Sequence, residues 1–300
     1  MADRPRLSAP ARRPLLVAPA VSIIGVFMLI PLVLMAYVSF LERGQYGGVV
    51  WGDFTAQAYV DVLFEEALDG SFGFNASYIQ IFARSFWLSF STMVIALAVG
   101  FPTALYMTLQ PKRYRNLLIF LVTIPFWTNL LVRNYAWILL LRDTGLINET
   151  LISLDVISEP ITLLYTDLSI AIGLTYSFLP FMVLPIYASL EKIDFRLVEA
   201  AYDLYATRWE VLRRVIVPLS IPGIVSGCIL VFVPCLGSYV TPVLLGGGKS
   251  LMIGNLIALQ FGSARNWPFG AALAFVLLSL VLLTMTIYLM RQRRREGAAT

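Results

Sequence analysis

Six long apolar stretches divide this chain of 300 residues, and they constrain its fold more than any other feature. A helix needs about 20 apolar residues to cross roughly 30 Å of bilayer hydrocarbon. The stretches that satisfy this requirement are Leu15–Phe40, Ile79–Leu109, Leu117–Leu141, Leu168–Leu190, Leu219–Leu245 and Phe269–Met290. No soluble domain remains once they are removed. We therefore expect an all-α membrane protein with six transmembrane helices.

The composition supports the same class of protein. Hydrophobic residues make up 59% of the chain and charged residues 13%, and a mean hydropathy of +0.79 does not fit a water-exposed surface. The first stretch follows four arginines, as the apolar region of a signal peptide also does. It is longer than the roughly 7–15 residues of a cleavable region and does not end in small residues, so we interpret it as an uncleaved span.

Lysine and arginine are concentrated on one side of the expected membrane domain. Of the 22 basic residues, 16 lie in the N-terminus, the 110–116 turn, the 191–218 loop or the C-terminal tail. Basic segments are retained on the cytoplasmic side, so both termini are expected there. The chain then consists of a cytoplasmic tail over 1–14, a six-span domain over 15–290 with its cytoplasmic loop at 191–218, and a basic cytoplasmic tail over 291–300.

The loops expected on the outer side carry eleven acidic residues against four basic ones. Topology alone explains most of this asymmetry. The alternative is that the acidic loops attract cations to the outer mouth, an effect that screening over roughly 8 Å weakens.

The residue types that catalysis and metal binding usually require are scarce. Histidine is absent, which removes the commonest metal ligand and the usual general base. Cys228 and Cys235 share one face of an expected helix, cannot reach each other across two turns, and are expected to be packing residues. The GGGKS run at 246–250 lacks the Gly six residues before its Lys that a phosphate-binding loop needs. We expect no catalytic residue, no metal site, no cofactor bound by this chain and no enzyme activity.

The expected cytoplasmic loop contains a charged segment, EAAYDLYATRWEVLRRVIVP, between two apolar stretches. Glu199–Tyr202 and Arg208–Val215 can each form a short helix. An ordinary solvated amphipathic loop is one interpretation of this composition. The spacing favours another, because the segment resembles the cytoplasmic loop of binding-protein-dependent ABC importer permeases. Their pattern is Glu-Ala-Ala, three residues, Gly, nine residues and Ile-x-Leu-Pro.

Most of the pattern is in register here: Glu199, Ala200, Ala201 and Pro218 match, and Tyr205 replaces the Gly. The resemblance implies a loop of two short helices that enters a groove of an ATPase. The residues that the resemblance assigns to this contact with the ATPase are Glu199, Ala200, Ala201, Asp203, Tyr205, Arg208 and Pro218. A non-Gly residue at left-handed φ costs roughly 1–2 kcal/mol, so we expect the turn at Tyr205 to adopt another geometry.

The third stretch contains more polar groups than a lipid-facing helix would tolerate. Intramembrane polar residues are functional candidates, and Trp127 and Asn129 are expected to line a substrate pathway. Arg133 either lines it too or snorkels to the outer interface, since it lies roughly 24 Å along the helix from Leu117. Tyr239, near the end of the fifth stretch, is the fourth pathway candidate.

These segments sharpen the resemblance. The runs at 124–148, 178–194, 244–257 and 266–272 are similar to those of spermidine/putrescine-type permeases. That subfamily implies a type I ABC importer permease fold in a bacterial inner membrane, with an ABC ATPase dimer that binds ATP and Mg, a second homologous permease and an extracytoplasmic substrate-binding protein. No nucleic-acid partner is implied. The solute would be a small organic cation, foremost a polyamine, or else an opine, an amino-acid derivative or another small amine.

Two other functions fit a polytopic membrane protein less well. A stand-alone, ion-coupled secondary transporter usually has ion-binding groups at the membrane midplane, and the six stretches contain no Asp or Glu. An intramembrane hydrolase would need a histidine or an intramembrane carboxylate, and the six stretches contain neither.

The sequence departs from the polyamine permeases at one point. Those permeases often carry an acid near the end of the fifth span, and the 237–242 run has none.

Overall fold

The computed structural model describes residues 13–66, 72–248 and 250–297. Its helices are α1 (Arg13–Val38), α2 (Gln57–Val60), α3 (Ala76–Leu109), α4 (Lys112–Trp127), α5 (Leu130–Leu141), α6 (Leu146–Ser153), α7 (Asp167–Leu190), α8 (Arg196–Asp203), α9 (Arg208–Val211), α10 (Val217–Leu236), α11 (Val240–Leu245), α12 (Ile253–Phe261) and α13 (Trp267–Gly297). Its strands are β1 (Leu41–Arg43), β2 (Val49–Phe54), β3 (Phe64–Glu66) and β4 (Phe72–Phe74). A π-helical segment, Leu212–Ile216, joins α9 to α10.

Parts of both predicted tails lie outside the described residues: most of 1–14 and the last three positions of 291–300. The division of the chain into two tails and one six-span domain therefore stays a prediction.

Within the described residues, five helices are long and apolar enough to cross a membrane. They are α1, α3, α7, the continuous helix Arg208–Leu236 and α13. The pair formed by α4 and Leu130–Ser153 also qualifies, although its two halves are bent by 90°, and it brings the number to six. The predicted limits of the second and fourth spans differ from α3 and α7 by at most three residues.

The third and fifth stretches are not continuous helices. The third stretch breaks after Trp127, where Thr128 is extended and the Asn129 side chain accepts a hydrogen bond of 2.8 Å from the Leu131 N–H. By accepting this bond, the Asn129 side chain caps the start of a new helix, α5, and ends the previous one. The fifth stretch breaks at 237–239, between α10 and α11, where Gly237 is a poor helix former.

The segment Ala76–Ala258 forms one compact unit, in which α7 packs between α3 and α10. Met182, Val183 and Ile186 on α7 are fully buried. A methyl group added at Gly223 of α10 would lie 2.5 Å from Ser189 Cβ, too close to be accommodated without movement. Small residues permit such approach between membrane helices. Both cysteines are free, and Cys235 is buried, which fits their predicted packing role.

The second unit comprises Met1–Asn75 and Leu259–Thr300, and in its described part α1 packs against α13. Two antiparallel hairpins follow α1: β1 pairs with β2, and β3 pairs with β4. The VVWGDF run of β2 has the β-branched and aromatic residues that favour strands, and these short hairpins leave the fold class all-α. The ring of Tyr37 on α1 stacks on Trp51 of β2 at 6.1 Å, which ties this hairpin to the end of α1.

The contact between α7 and α10 leads to a stability prediction. Gly223→Ala would place its methyl group 2.6 Å from the Pro185 carbonyl oxygen, so we expect a loss of about 1–3 kcal/mol from overpacking, measured as the thermal stability of the detergent-solubilised protein. Gly25→Ala in α1 is the matched control, because its methyl group meets nothing within 4 Å. Equal stability of the two variants would contradict the tight packing of α7 on α10.

Candidate functional site

Residues 191–218 form a helix-turn-helix between α7 and α10. Glu199 lies in the first turn of α8, and Asp203 ends that helix. Glu199 and Ala200 are exposed, whereas Ala201 is half-buried. The seven residues predicted to act together follow one another along this segment: Glu199, Ala200, Ala201 and Asp203 on α8, Tyr205 in the turn, Arg208 on α9, and Pro218 at the start of α10.

The turn at Tyr205 has the geometry that we expected it to avoid. Tyr205 has φ of 58°, in the left-handed region. Its N–H donates to the Tyr202 carbonyl at 2.9 Å, and the Ala206 N–H donates to the Ala201 carbonyl at 3.1 Å. These two bonds define a Schellman motif, whose left-handed position is usually Gly because Gly pays no Cβ penalty. The two bonds satisfy carbonyls at the end of α8, which explains why the turn keeps the geometry despite the tyrosine.

The second helix begins with a capping box. The Thr207 N–H donates to Glu210 Oε2 at 2.9 Å, and the Glu210 N–H donates to Thr207 Oγ1 at 3.3 Å. The T-x-x-E spacing is a recognised helix-start signal that our sequence interpretation overlooked. The box fixes where α9 starts and therefore how sharply the chain turns after Tyr205.

The predicted short helix Arg208–Val215 is instead the beginning of a longer one. Helix α9 runs through the π-helical segment into α10 without interruption. The Val217 N–H donates to the Leu212 carbonyl, five residues back. Pro218 follows directly, and because it has no N–H and would crowd the carbonyl four residues back, a widened turn accommodates it. The loop and the fifth span are thus mechanically continuous.

Three large apolar side chains of this loop face outward: Leu204 is 82% exposed, Tyr205 is 96% exposed and Trp209 is about two-thirds exposed. We call them the apolar loop surface. Outside a membrane, such a cluster usually marks an interaction site. Our sequence interpretation included only Tyr205 of the three.

The predicted pathway residues lie at the two helix breaks. Trp127 ends α4 and is 80% exposed, and Asn129 caps α5. Arg133 lies one turn further along α5, where its Nε and Nη1 are buried without a hydrogen-bond partner among the described residues. Tyr239 is half-exposed and precedes α11, which packs against α5. The fold therefore brings the elements of both breaks together.

Metal-binding groups are not clustered in this part of the chain. Across residues 13–66, 72–248 and 250–297, no three acidic or cysteine side chains come close enough to hold a metal ion.

The match to known proteins agrees with this geometry. Residues 96–296 match the family model described as the binding-protein-dependent transport system inner membrane component. This chain belongs to that family. The helix-turn-helix and its Glu-Ala-Ala sequence lie inside the matched region, so the resemblance inferred from spacing is confirmed.

Several relatives of this transport-system family cover most of the chain. The spermidine/putrescine transport system permease protein PotB of Haemophilus influenzae is 40% identical over 262 residues, which is 87% of each chain. PotB of Escherichia coli is 37% identical over 271 residues, 89% of this chain and 94% of its own. A bacterial ABC transporter involved in alginate import has a chain of similar fold, with a TM-score of 0.69 at 15% identity, covering 94% of this chain and 96% of that chain. The fold is that of a type I ABC importer permease.

The left-handed backbone conformation of Tyr205 leads to a prediction about the turn. Tyr205→Gly removes the Cβ penalty, and the Ala206 N–H should then exchange with solvent up to about tenfold more slowly. Tyr205→Ala, the matched control, also lacks the ring but keeps a Cβ and should leave the exchange rate unchanged. Hydrogen exchange read by mass spectrometry over residues 199–211 measures both. Faster exchange in Tyr205→Gly would show that the ring, and not the backbone, determines the stability of this turn.

Proposed function

We propose that this chain is a permease subunit of an ATP-driven importer, which passes a small organic cation across the bacterial inner membrane by alternating access. The observation that carries this proposal is the helix-turn-helix at 191–218, with the family's Glu-Ala-Ala register and an outward apolar loop surface. Its partners are an ABC ATPase dimer that binds ATP and Mg, a second homologous permease and an extracytoplasmic substrate-binding protein. Both termini and the 191–218 loop face the cytoplasm, and this chain itself binds no cofactor.

The 191–218 loop is the site where the ATPase docks. Helix α8 presents Glu199 and Ala200 outward, and the turn presents the apolar loop surface beside them. A groove in the partner that receives α8 would desolvate this face of the helix and the apolar loop surface. Because α9, the π-helical segment and α10 are continuous, a displacement of the docked loop would reach the fifth span directly.

The solute that we propose is a polyamine such as spermidine or putrescine. The support comes from PotB relatives that match nearly 90% of this chain and from aromatic and amide groups at the helix breaks. Trp127 and Tyr239 would hold an ammonium group by cation–π contact, each contributing about 0.5–2 kcal/mol, and Asn129 would add a hydrogen bond.

A second class of solute is favoured by one specific observation. The Nε and Nη1 of Arg133, which have no hydrogen-bond partner in the described parts of the chain, fit a carboxylate better than an ammonium group. An opine or another zwitterionic amine would satisfy Arg133 through its carboxylate while its amine binds the aromatic rings.

Docking is tested by Ala201→Asp. A charge placed on this half-buried position would be desolvated without a partner in the ATPase groove, and we expect it to cost about 3 kcal/mol or more of binding. The ATPase should no longer copurify with the permease, and uptake should be lost. The control Ala76→Asp adds the same charge at the exposed N-terminus of α3, where the helix dipole favours it. Normal copurification with Ala201→Asp would refute docking at this loop.

The solute is tested by competition of uptake in cells that express the complete transporter. Excess spermidine or putrescine should abolish uptake of the labelled diamine, and Trp127→Ala should reduce uptake while the complex still assembles. Arg133→Gln should have little effect on diamine uptake. If the labelled diamine is not taken up and a labelled opine is, with Arg133→Gln abolishing uptake of the opine, the zwitterionic alternative is correct.

A further inference from the structure

Arg115, in the first turn of α4, joins three elements at the end of the Ala76–Ala258 unit that carries the 191–218 loop. Its Nη2 donates to the Thr108 carbonyl at 2.6 Å, and its Nε donates to the Gln110 carbonyl at 2.7 Å. Both carbonyls lie at the C-terminus of α3, where backbone acceptors have no partner within the helix and a cation is favoured. The planar guanidinium thus fixes the angle between α3 and α4, as a lysine could not.

The third edge of the same guanidinium faces the loop. Arg115 Nη1 lies 3.6 Å from Glu191 Oε1, and the Tyr187 hydroxyl donates to that same oxygen at 2.9 Å. Glu191 caps the C-terminus of α7 and is the first residue of the 191–218 loop. It is about half-exposed, so the ion pair alone contributes little to stability. Its importance is geometric, because it links the start of the loop to α4.

Helix α4 is well suited to carry a displacement from one end to the other. It contains 16 residues, about 24 Å at 1.5 Å per residue, and ends at Trp127 beside the helix break. Its far end also contacts α7, where the Phe126 ring meets Phe181 edge-on at 5.3 Å. Leu118, Ile119 and Val122 pack on the core between these two contacts. A movement of the α7 terminus against Arg115 would therefore pass to the start of α4 and along its packed face toward Trp127.

We propose that Arg115 is a positioning residue that transmits movement of the 191–218 loop, through Glu191, to α4 and so to Trp127 and Asn129 at the helix break. This inference rests on the proposed function, in which the ATPase displaces the loop. It adds a second route beside the continuous α9–α10 helix. The route through α10 reaches the fifth span, and the route through Arg115 reaches the third. One loop displacement then acts on both helix breaks together.

The inference predicts loss of coupling without loss of assembly. The complete transporter, with its ATPase, second permease and binding protein, is reconstituted in liposomes, and labelled putrescine taken up per ATP hydrolysed is measured. Arg115→Gln and Glu191→Gln should each lower this ratio about fivefold. The double variant should be no lower than the more affected single variant, because the two residues act as one unit. Tyr187→Phe should lower the ratio less.

Arg113→Gln is the matched control, because Arg113 is exposed in the same turn of α4 and forms no ion pair within the described parts of the chain. It should leave the ratio unchanged. If Arg115→Gln fails to assemble, Glu191→Gln and Tyr187→Phe decide, since they leave both carbonyl bonds of Arg115 intact. An unchanged ratio in assembled Glu191→Gln complexes overturns the inference alone. No ATP-dependent uptake of either putrescine or an opine by the unsubstituted complex overturns the proposed function and this inference with it.

Discussion

The close approach of α7 to α3 and α10 is the interaction on which the rest of the structure depends. Lipid tails are as apolar as the side chains they touch, so helices in a bilayer associate through packing and not through the hydrophobic effect. Met182 illustrates the tightness: a methyl group on Gly227 would lie 2.9 Å from its sulfur. With α7 held in this way, its position between α3 and α10 is set. One end carries the 191–218 loop, and α4 is attached along its side.

The two helix breaks show what this rigid centre makes possible. Irregular backbone at membrane depth is tolerated where protein buries it or where it lines a cavity. Asn129 caps the half-helix after the first break, and α11 follows the second and packs against α5. The polar and aromatic residues predicted from the third stretch lie at the first break. The break therefore explains why Trp127 and Asn129 are polar or amphipathic in an otherwise apolar stretch.

The 191–218 loop combines a strained turn with an exposed ring. Keeping Tyr205 at left-handed φ costs roughly 1–2 kcal/mol, yet the ring makes almost no contact within the chain. A residue that is costly to place and unused in the isolated subunit fits a role in a complex. The capping box at Thr207 and the widened turn before Pro218 fix the direction of the segments on either side.

From the amino-acid pattern we could predict the span limits of α3 and α7, the register from Glu199 to Pro218 and the family, because apolar length and motif spacing are local properties of the chain. The pattern did not predict the 90° bend after Trp127, the φ of Tyr205 or the hairpins after α1. The φ of Tyr205 follows from two local hydrogen bonds that outweigh the Cβ penalty, whereas the bend and the hairpins involve contacts between elements that are distant in the chain. From the sequence, Arg115 was only one of the basic residues used to predict which side of the membrane the loops face. Its bonds to Thr108 and Gln110 are local, but its ion pair with Glu191 exists because packing brings the end of α7 to the start of α4, and a linear pattern contains no information about that meeting.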